Sequence, residues 1–310
     1  MRTANLRMMS ARAVALAAAV AITVAMASVP IPTLAQTAQG TADCAQNPNA
    51  MGTARTLEVD TTGGLDIGTM QYRNTLPLGP KELTFTFDDG PNPEHTPKIL
   101  DALDAHCIKA TFFVVGRYAK LHPELVRDAW RRGHTIATHT WSHPILSKTS
   151  YSKAVQQIDR GVDAAQAALD GLADANGNPA EVAPFFRFPG LNHTQRLRSY
   201  LANKNIGVFS CDIGTDDWRG ISPRTLYTRA LRMIESKGSG VVIFHDTHHR
   251  TSNMLPQILD ELARRGYTAV HMVPKGDGRY LAAQNASVEL EIAPAPVAQT
   301  QPSLRPTVPN

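Results

Sequence analysis

The sequence predicts an α/β protein built on a parallel sheet, and three observations lead to this fold class. Short β-branched and aromatic runs alternate with amphipathic helical segments along most of the chain. The predicted strands are almost continuously apolar, which indicates burial on both faces. Seven such strands lie between Lys81 and Val273, and we expect them to form a distorted (β/α)7 barrel of the TIM type. A doubly wound open sheet is the alternative, because periodicity does not show whether a sheet closes.

The predicted elements follow one another in a regular order, and Gly or Pro marks many of their boundaries. The strands are expected at Leu83–Phe87, Ala110–Val115, His134–Thr138, Pro184–Phe188, Gly207–Asp212, Gly240–Phe244 and Tyr267–Met272. The helices are expected at Thr96–Leu103, Pro123–Arg132, Ser152–Leu169, Arg196–Asn203, Ser222–Lys237 and Met254–Arg265. Thr96 is predicted to cap the first helix, with Pro97 at its first position. Gly133 and Gly266 are expected to end the second and the last helix.

The first 35 residues have the pattern of a secretory signal peptide. A basic start precedes the apolar stretch Ala13–Val29, and small residues precede Gln36. A retained membrane anchor is the alternative, although 17 residues is at the short limit for a membrane span. We therefore expect an exported protein, periplasmic or extracellular, without stable membrane insertion.

The remaining sequence divides into three predicted parts. Residues 36–80 are expected to form an irregular N-terminal extension with weak strands near Thr56–Val59 and Thr69–Arg73. Residues 81–283 contain the alternating pattern and form the predicted main domain. Residues 284–310 are rich in Pro, Ala and Gln, which favours a disordered tail.

The charge of the chain is explained by its N-terminus. The 310 residues include 31 Lys+Arg and 27 Asp+Glu, a net charge of +4. Arg2, Arg7 and Arg12 precede the expected cleavage point, which leaves 28 basic and 27 acidic side chains in the exported protein. With no Lys/Arg stripe interleaved with aromatics, the sequence argues against a nucleic-acid partner. A hydrophobic content of 43% with 19% charged residues also argues against a disordered chain.

The cysteine content fits export without requiring a disulfide scaffold. Cys44 and Cys107 could pair in an oxidising compartment, and Cys211 lies in a predicted buried strand as an inert thiol. Three free cysteines are the alternative, because an odd number does not specify a bridge.

Polar residues with catalytic potential occur where the predicted strands end. In parallel α/β folds these ends meet at one edge, where functional groups collect. The residues concerned are Asp88 and Asp89 after the first strand, His139 and His143 after the third, Arg187 near the end of the fourth, Asp217 after the fifth, and His245 and Asp246 after the sixth. Imidazoles together with one carboxylate are typical ligands of a catalytic divalent metal ion.

Five ordered stretches of this sequence resemble the motifs of NodB-homology polysaccharide deacetylases, carbohydrate esterase family four. They are Thr86–Gly90, His139–His143, Arg187–Gly190, Asp217–Trp218 and Ile243–Asp246. Three positions depart from the family pattern. Gly190 follows Pro189 directly where the family usually has an aromatic residue, Gly214 stands where it usually has Asp, and Ile243 replaces Leu.

The resemblance implies a metal-dependent mechanism and a role for each motif residue. Asp89, His139 and His143 would hold one divalent ion, Zn²⁺ in the first place and Co²⁺ or Ni²⁺ as alternatives. Asp88 would act as general base and His245 as general acid, with Arg187 orienting Asp88 and Asp217 orienting His245. The substrate pocket would include Gly190, Trp218 and Ile243.

The function implied is hydrolysis of N-acetyl groups on N-acetylglucosamine-containing glycans, peptidoglycan or chitooligosaccharide, with release of acetate. An O-acetyl xylan esterase would use the same tetrahedral step and remains an alternative. A catalytically silent carbohydrate-binding domain is a second alternative, and the intact set of acid, base and ligand residues argues against it.

Overall fold

A computed structural model describes residue 47 and residues 49–277 of the chain. The predicted signal peptide, Cys44 and the predicted tail at 284–310 lie outside the described residues. Within residues 47 and 49–277, no helix is both long enough and apolar enough to span a membrane. Cys107 is disulfide-bonded, and Cys211 is buried and free, as predicted.

The described residues form an α/β fold, and the predicted alternation of strands and helices is confirmed. The strands are β1 (Thr53–Val59), β2 (Asp66–Ile67), β3 (Glu82–Asp88), β4 (Thr111–Val114), β5 (Thr135–Thr138), β6 (Phe185–Phe186), β7 (Gly207–Phe209), β8 (Ile213–Gly214), β9 (Gly240–His245) and β10 (Thr268–Pro274). The helices are α1 (Thr96–Ala105), α2 (Gly116–Leu121), α3 (Pro123–Arg131), α4 (Tyr151–Leu169), α5 (Gln195–Ala202), α6 (Pro223–Lys237) and α7 (His249–Arg264).

The order of the parallel strands confirms the predicted distorted barrel, with a gap in the hydrogen-bonded ladder between β7 and β8 among the described residues. Parallel pairing runs from β3 through β4, β5 and β6 to β7. The chain then bends between β7 and β8, so that β8 pairs with β9 while β9 pairs with β3. The strand predicted at Gly207–Asp212 is therefore shortened to β7, and the unpredicted strand β8 follows directly after its expected end.

The last predicted strand does not join this ring between β9 and β3. β10 instead pairs with β1 and with the first two residues of β3, Glu82 and Leu83. The N-terminal extension is accordingly less irregular than expected, because β1 pairs with β10 and β2 pairs with β7.

The expectation of a strand at Thr69–Arg73 is wrong. Gln71 N and Tyr72 N both donate to the carbonyl oxygen of Gly68, at 3.1 and 2.9 Å, which closes a turn instead of extending the chain. The backbone donors of Gln71 and Tyr72 are therefore used within the turn and are not free for a neighbouring strand.

Two helix predictions also need correction. His95 and not Thr96 is the N-cap of α1, because the Thr96 hydroxyl is used elsewhere, donating to Asp246 Oδ2 at 2.6 Å. The six-residue helix α2 was not predicted, since a helix shorter than two turns has no detectable apolar period.

Both faces of the barrel strands are buried, but they carry different side chains. On β3, Phe85 and Phe87 belong to the cluster that packs under the surrounding helices, and Phe87 stacks on Phe112 and Phe244. Thr84, Thr86 and Asp88 alternate with them and are also buried. The alternation places Asp88, the last residue of β3, on the same side as Thr86.

Candidate active site

The strand ends bring the sequence-predicted polar residues together at one edge of the barrel. Asp88 ends β3 and His245 ends β9, and the register pairs these two residues directly. His139 follows β5, and Arg187 follows β6. Paired residues on adjacent parallel strands point to the same side of the sheet, so the carboxylate and the imidazole share one face.

Asp89, His139 and His143 form a compact group with the geometry of a metal site. One ligand atom from each lies within 4.8 Å of the others. Asp89 Oδ1 lies 3.4 Å from His139 Nε2 and 3.1 Å from His143 Nε2. This oxygen is buried and accepts no hydrogen bond of acceptable geometry within the described part of the chain.

The orientation of His139 shows what the group requires. Its Nδ1 lies 2.7 Å from the carbonyl oxygen of Arg187, which can only accept, so Nδ1 carries the hydrogen. In the neutral ring Nε2 then presents its lone pair to the Asp89 carboxylate. Two acceptors that face each other in a buried site need a cation between them. Two imidazole nitrogens and one carboxylate oxygen fit a divalent metal ion.

The electrostatics of the trio agree with this requirement. Burial raises the pKa of Asp89, but the neighbouring imidazoles of His139 and His143 outweigh burial and hold that pKa well below its usual range. The pKa of His143 is raised, chiefly by its contact with the Asp89 carboxylate. The surroundings of Asp89 therefore favour a positive charge, either on the two imidazole rings or on an ion held between the rings and the carboxylate.

The backbone of these residues is held in an unusual conformation. Asp89, Thr140 and His143 have φ angles of 79°, 66° and 62°, in the left-handed region that non-glycine residues seldom adopt. Each such residue costs about 1–2 kcal/mol. The Thr140 hydroxyl accepts a hydrogen bond from His143 N at 3.0 Å, which holds the loop in this shape. Strain concentrated at candidate ligands is typical of functional sites.

Arg187 anchors Asp88 inside the barrel. Both side chains are buried, and Arg187 Nη1 donates to Asp88 Oδ1 at 2.6 Å and to Thr86 Oγ1 at 2.8 Å. The other guanidinium nitrogens donate to the carbonyl oxygens of Phe209 and Ser210. The guanidinium carbon also lies 4.1 Å from the centre of the Phe113 ring. The buried cation is thus fully surrounded, and Asp88 has one fixed orientation.

Asp217 holds His245 in a comparable way. His245 Nδ1 lies 2.7 Å from Asp217 Oδ1, and His245 N donates to Asp217 Oδ2 at 2.7 Å. The Thr251 hydroxyl donates to the same Oδ2 at 2.6 Å. Burial lowers the pKa of His245, but the charge and hydrogen bond of Asp217 outweigh it and raise that pKa to about 9. The imidazole is therefore held protonated, with Nε2 left to act on a substrate.

The three predicted pocket residues occupy different places. Ile243 is almost buried and precedes His245 by two positions, on the same face of β9. Gly190 is exposed in the loop after β6. Trp218 is 55% exposed, and the guanidinium carbon of Arg219 lies 5.0 Å from its ring centre. Trp218 therefore stands beside Asp217 at the surface and not in the buried part of the site.

Asp246 is a structural contributor whose role the sequence did not reveal, although its place at a strand end was noted. Its buried carboxylate packs against Gly90, where any Cβ atom would lie 2.1 Å from Oδ2. Burial raises the pKa of Asp246 to about 7. Because Asp246 fills the space beside Gly90, position 90 has no room for a side chain. This packing fixes the loop that carries Asp89. Thr251 was also missed, since a threonine within a helix gives no local signal.

Comparison with known proteins agrees with this geometry. A polysaccharide deacetylase family model matches residues 76–209. The peptidoglycan-N-acetylglucosamine deacetylase of Bacillus cereus is 33% identical over 200 residues, which are 63% of this chain and 68% of that protein. The chain belongs to the polysaccharide deacetylase family. The family model ends before Asp217 and His245, which the fold nevertheless brings to the same edge.

Two further family members extend the comparison. The peptidoglycan-N-acetylmuramic acid deacetylase PdaC of Bacillus subtilis is 29% identical over 206 residues, 66% of this chain. The chain spans 41% of the length of that relative. A solved peptidoglycan deacetylase of Bdellovibrio bacteriovorus is 32% identical with a TM-score of 0.63, covering 74% of this chain and 62% of its own.

Replacing Arg187 tests how strongly the fold depends on its ion pair. Arg187→Leu leaves the Asp88 carboxylate buried without a partner, so the free energy of unfolding should fall by about 3–5 kcal/mol. Urea denaturation measures the loss. The control Arg224→Leu removes an exposed arginine of α6 and should change stability by about 0.5 kcal/mol or less.

The interaction itself is isolated by a double-mutant cycle. Arg187→Leu combined with Asp88→Asn should cost less than the sum of the two single variants, because the unpaired charge is gone. Equal costs for Arg187→Leu and Arg224→Leu would contradict a structural role for the pair.

Proposed function

We propose that this protein is a metal-dependent N-deacetylase that hydrolyses N-acetyl groups of N-acetylglucosamine-containing glycans and releases acetate. The observation that carries the proposal is the Asp89–His139–His143 group, with its unpartnered carboxylate oxygen, beside buried Asp88 and protonated His245. Family membership and the names of the relatives, which are peptidoglycan deacetylases, support the substrate class.

The metal ligands in this proposal are Asp89, His139 and His143. The bound ion would activate the acetyl carbonyl as a Lewis acid and make a water molecule more acidic. The donor set suits Zn²⁺ best, and Co²⁺ or Ni²⁺ accept the same ligands.

Asp88 is the proposed general base. Arg187 occupies its Oδ1, so the other oxygen, Oδ2, is the one that can accept the proton of the attacking water. Oδ2 lies 3.9 Å from His139 Nε2, which places it next to the metal ligands. The ion pair with Arg187 keeps Asp88 oriented before the substrate arrives.

His245 is the proposed general acid. Because Asp217 holds Nδ1, the proton on Nε2 can pass to the nitrogen of the leaving amine as the carbon–nitrogen bond breaks. The raised pKa keeps this proton in place at neutral pH. Acetate leaves with the oxygen of the water, and the glycan retains a free amine.

Two alternatives and the location are tested together with the substrate. Acetylxylan would be deacetylated through the same tetrahedral step, and a silent binding domain would release no acetate at all. We also propose export, supported by the signal-peptide pattern of residues 1–35 and by the disulfide at Cys107.

Acetate release from defined substrates tests the activity. Metal-loaded protein should release acetate from peptidoglycan or chitooligosaccharides. Asp88→Asn should lower the rate by about 100- to 10,000-fold because the base is lost, while bound metal measured by elemental analysis stays unchanged. Release from acetylxylan alone would overturn the amide specificity, and full turnover by Asp88→Asn would overturn the role of the base.

Removal of a candidate ligand should affect metal content directly. His139→Ala and His143→Ala are each expected to lower the metal-to-protein ratio, measured after dialysis against free Zn²⁺, because two ligands hold the ion poorly. His122→Ala removes a histidine that pairs with Glu124 between α2 and α3 and should retain the metal. Full occupancy in either ligand variant would refute the assignment.

The pH dependence tests the pairing of His245 with Asp217. The active form has protonated His245, so kcat/KM should fall as pH rises through the pKa of this residue. Asp217→Asn removes the charge that raises this pKa, and the alkaline limb should move to lower pH. Asp216→Asn is the matched control, because Asp216 pairs with Arg219 and Arg229 instead. An unmoved limb in Asp217→Asn would contradict the proposed pairing.

A further inference from the structure

The turn formed by residues 69–75, here called the extension turn, lies beside the candidate active site. It precedes residues 76–209, which the family model covers. Met70 N donates to the carbonyl oxygen of Cys211 at 3.0 Å, and the Gln71 side-chain amide donates to the carbonyl oxygen of Leu191. Leu191 belongs to the loop that follows Arg187, and Cys211 precedes β8. The turn thus bridges two loops that carry site residues.

One buried carboxylate fastens this turn to the barrel. Asp212 Oδ1 accepts from both Thr69 N and Thr69 Oγ1 at 2.7 Å. Its Oδ2 accepts from Thr75 Oγ1 at 2.5 Å and from Val241 N, in β9, at 2.8 Å. Asp212 therefore ties both ends of the turn to the bend between β7 and β8. Charge-assisted hydrogen bonds of this kind are the strong ones, so the turn is a fixed part of the wall.

Aromatic contacts hold the turn from a second side. The Tyr72 ring stacks on His193 with 5.5 Å between ring centres, and His193 in turn contacts Phe188. The Arg198 guanidinium carbon lies 5.5 Å from the centre of the Tyr72 ring. These contacts join the turn to the segment after β6 and to α5.

The Met70 side chain packs closely against position 214, where this chain has glycine. A Cβ atom at Gly214 would lie 3.1 Å from Met70 Cε, closer than ordinary van der Waals contact. Position 214 is where the family resemblance leads us to expect Asp. The absence of a side chain at Gly214 and the presence of Met70 from the extension are therefore matched features of this chain.

Met70 and Trp218 present apolar surface to solvent on this side of the barrel. Met70 is 51% and Trp218 is 55% exposed, and among the described residues Leu121 is the other large apolar side chain with high exposure. Leu121 ends α2, whereas Met70 touches Gly214, which precedes Trp218 by four positions in the same loop region. Because Gly214 pairs with Ile243, two residues before His245 in β9, the exposed Met70 side chain lies near the strand ends that carry the candidate site.

We propose that the extension turn forms a fixed wall of the glycan cleft, in which Met70 and Trp218 contact the sugar unit next to the one that is deacetylated. Sugar rings present C–H faces that pack on apolar side chains, and exposed Gln71 and Arg73 offer donors for hydroxyl or carboxylate groups at the edge. The occupant is a glycan chain of several units. The inference rests on the proposed function. It assigns to the extension turn a preference for long glycan chains over short ones.

The test compares substrates of different length. Met70→Ser should raise KM about 5-fold for chitopentaose or for glycan chains released from peptidoglycan, whichever the unaltered protein deacetylates. The value of kcat, and kcat/KM for the monosaccharide N-acetylglucosamine, which has no neighbouring sugar unit, should stay unchanged. Leu121→Ser is the matched control, since it removes an exposed apolar side chain elsewhere, and it should change none of these constants.

A binding measurement separates this inference from the proposed function. Calorimetry with chitopentaose and with glycan chains released from peptidoglycan compares Asp88→Asn with the double variant Asp88→Asn, Met70→Ser. The double variant should bind the glycan about 5-fold more weakly. If the unaltered protein releases no acetate but this difference is found, the proposed function fails and the wall stands. Equal affinities of the two proteins, or no binding by either, would overturn the wall.

Discussion

The buried ion pair between Arg187 and Asp88 is the interaction on which the site depends. A fully buried guanidinium is costly unless every donor is satisfied, and here its partners come from β3 and from the segment of β7. Because β3 and β7 do not pair with each other, Arg187 connects two non-adjacent strands and at the same time orients Asp88.

The second constraint is the direction of lone pairs around Asp89. The carbonyl oxygen of Arg187 fixes the His139 ring through Nδ1. Arg187 therefore orients Asp88 through its side chain and the candidate ligand His139 through its backbone. The left-handed conformations at Asp89 and His143 are maintained by Thr140 and by the packing of Asp246 on Gly90. The strained loops therefore have identifiable supports on neighbouring elements.

Strand ends could be predicted from the sequence, and with them most of the candidate site. Continuous apolar runs such as Val241–Phe244 mark buried strands, and parallel strands bring their carboxyl ends together, so His245 and Asp88 could be expected at one edge. Contacts between segments that are far apart in the sequence leave no comparable pattern of apolar residues from which they could be predicted. The bond from Thr96 to Asp246 moved the start of α1, and the Asp212 carboxylate turned Thr69–Arg73 from a predicted strand into a turn.

The strand-end residues and the extension turn differ in what fixes their positions. The residues that we propose to act on the acetyl group lie at strand ends, where parallel pairing fixes their positions within narrow limits. The extension turn is held chiefly by the Asp212 carboxylate at the bend between β7 and β8, where the chain changes strand partner after Phe209. The same bend that gives β8 its place beside β9 thus offers Asp212 to the N-terminal extension. A change in this extension can therefore alter the surface beside the candidate site without disturbing Asp88 or His245.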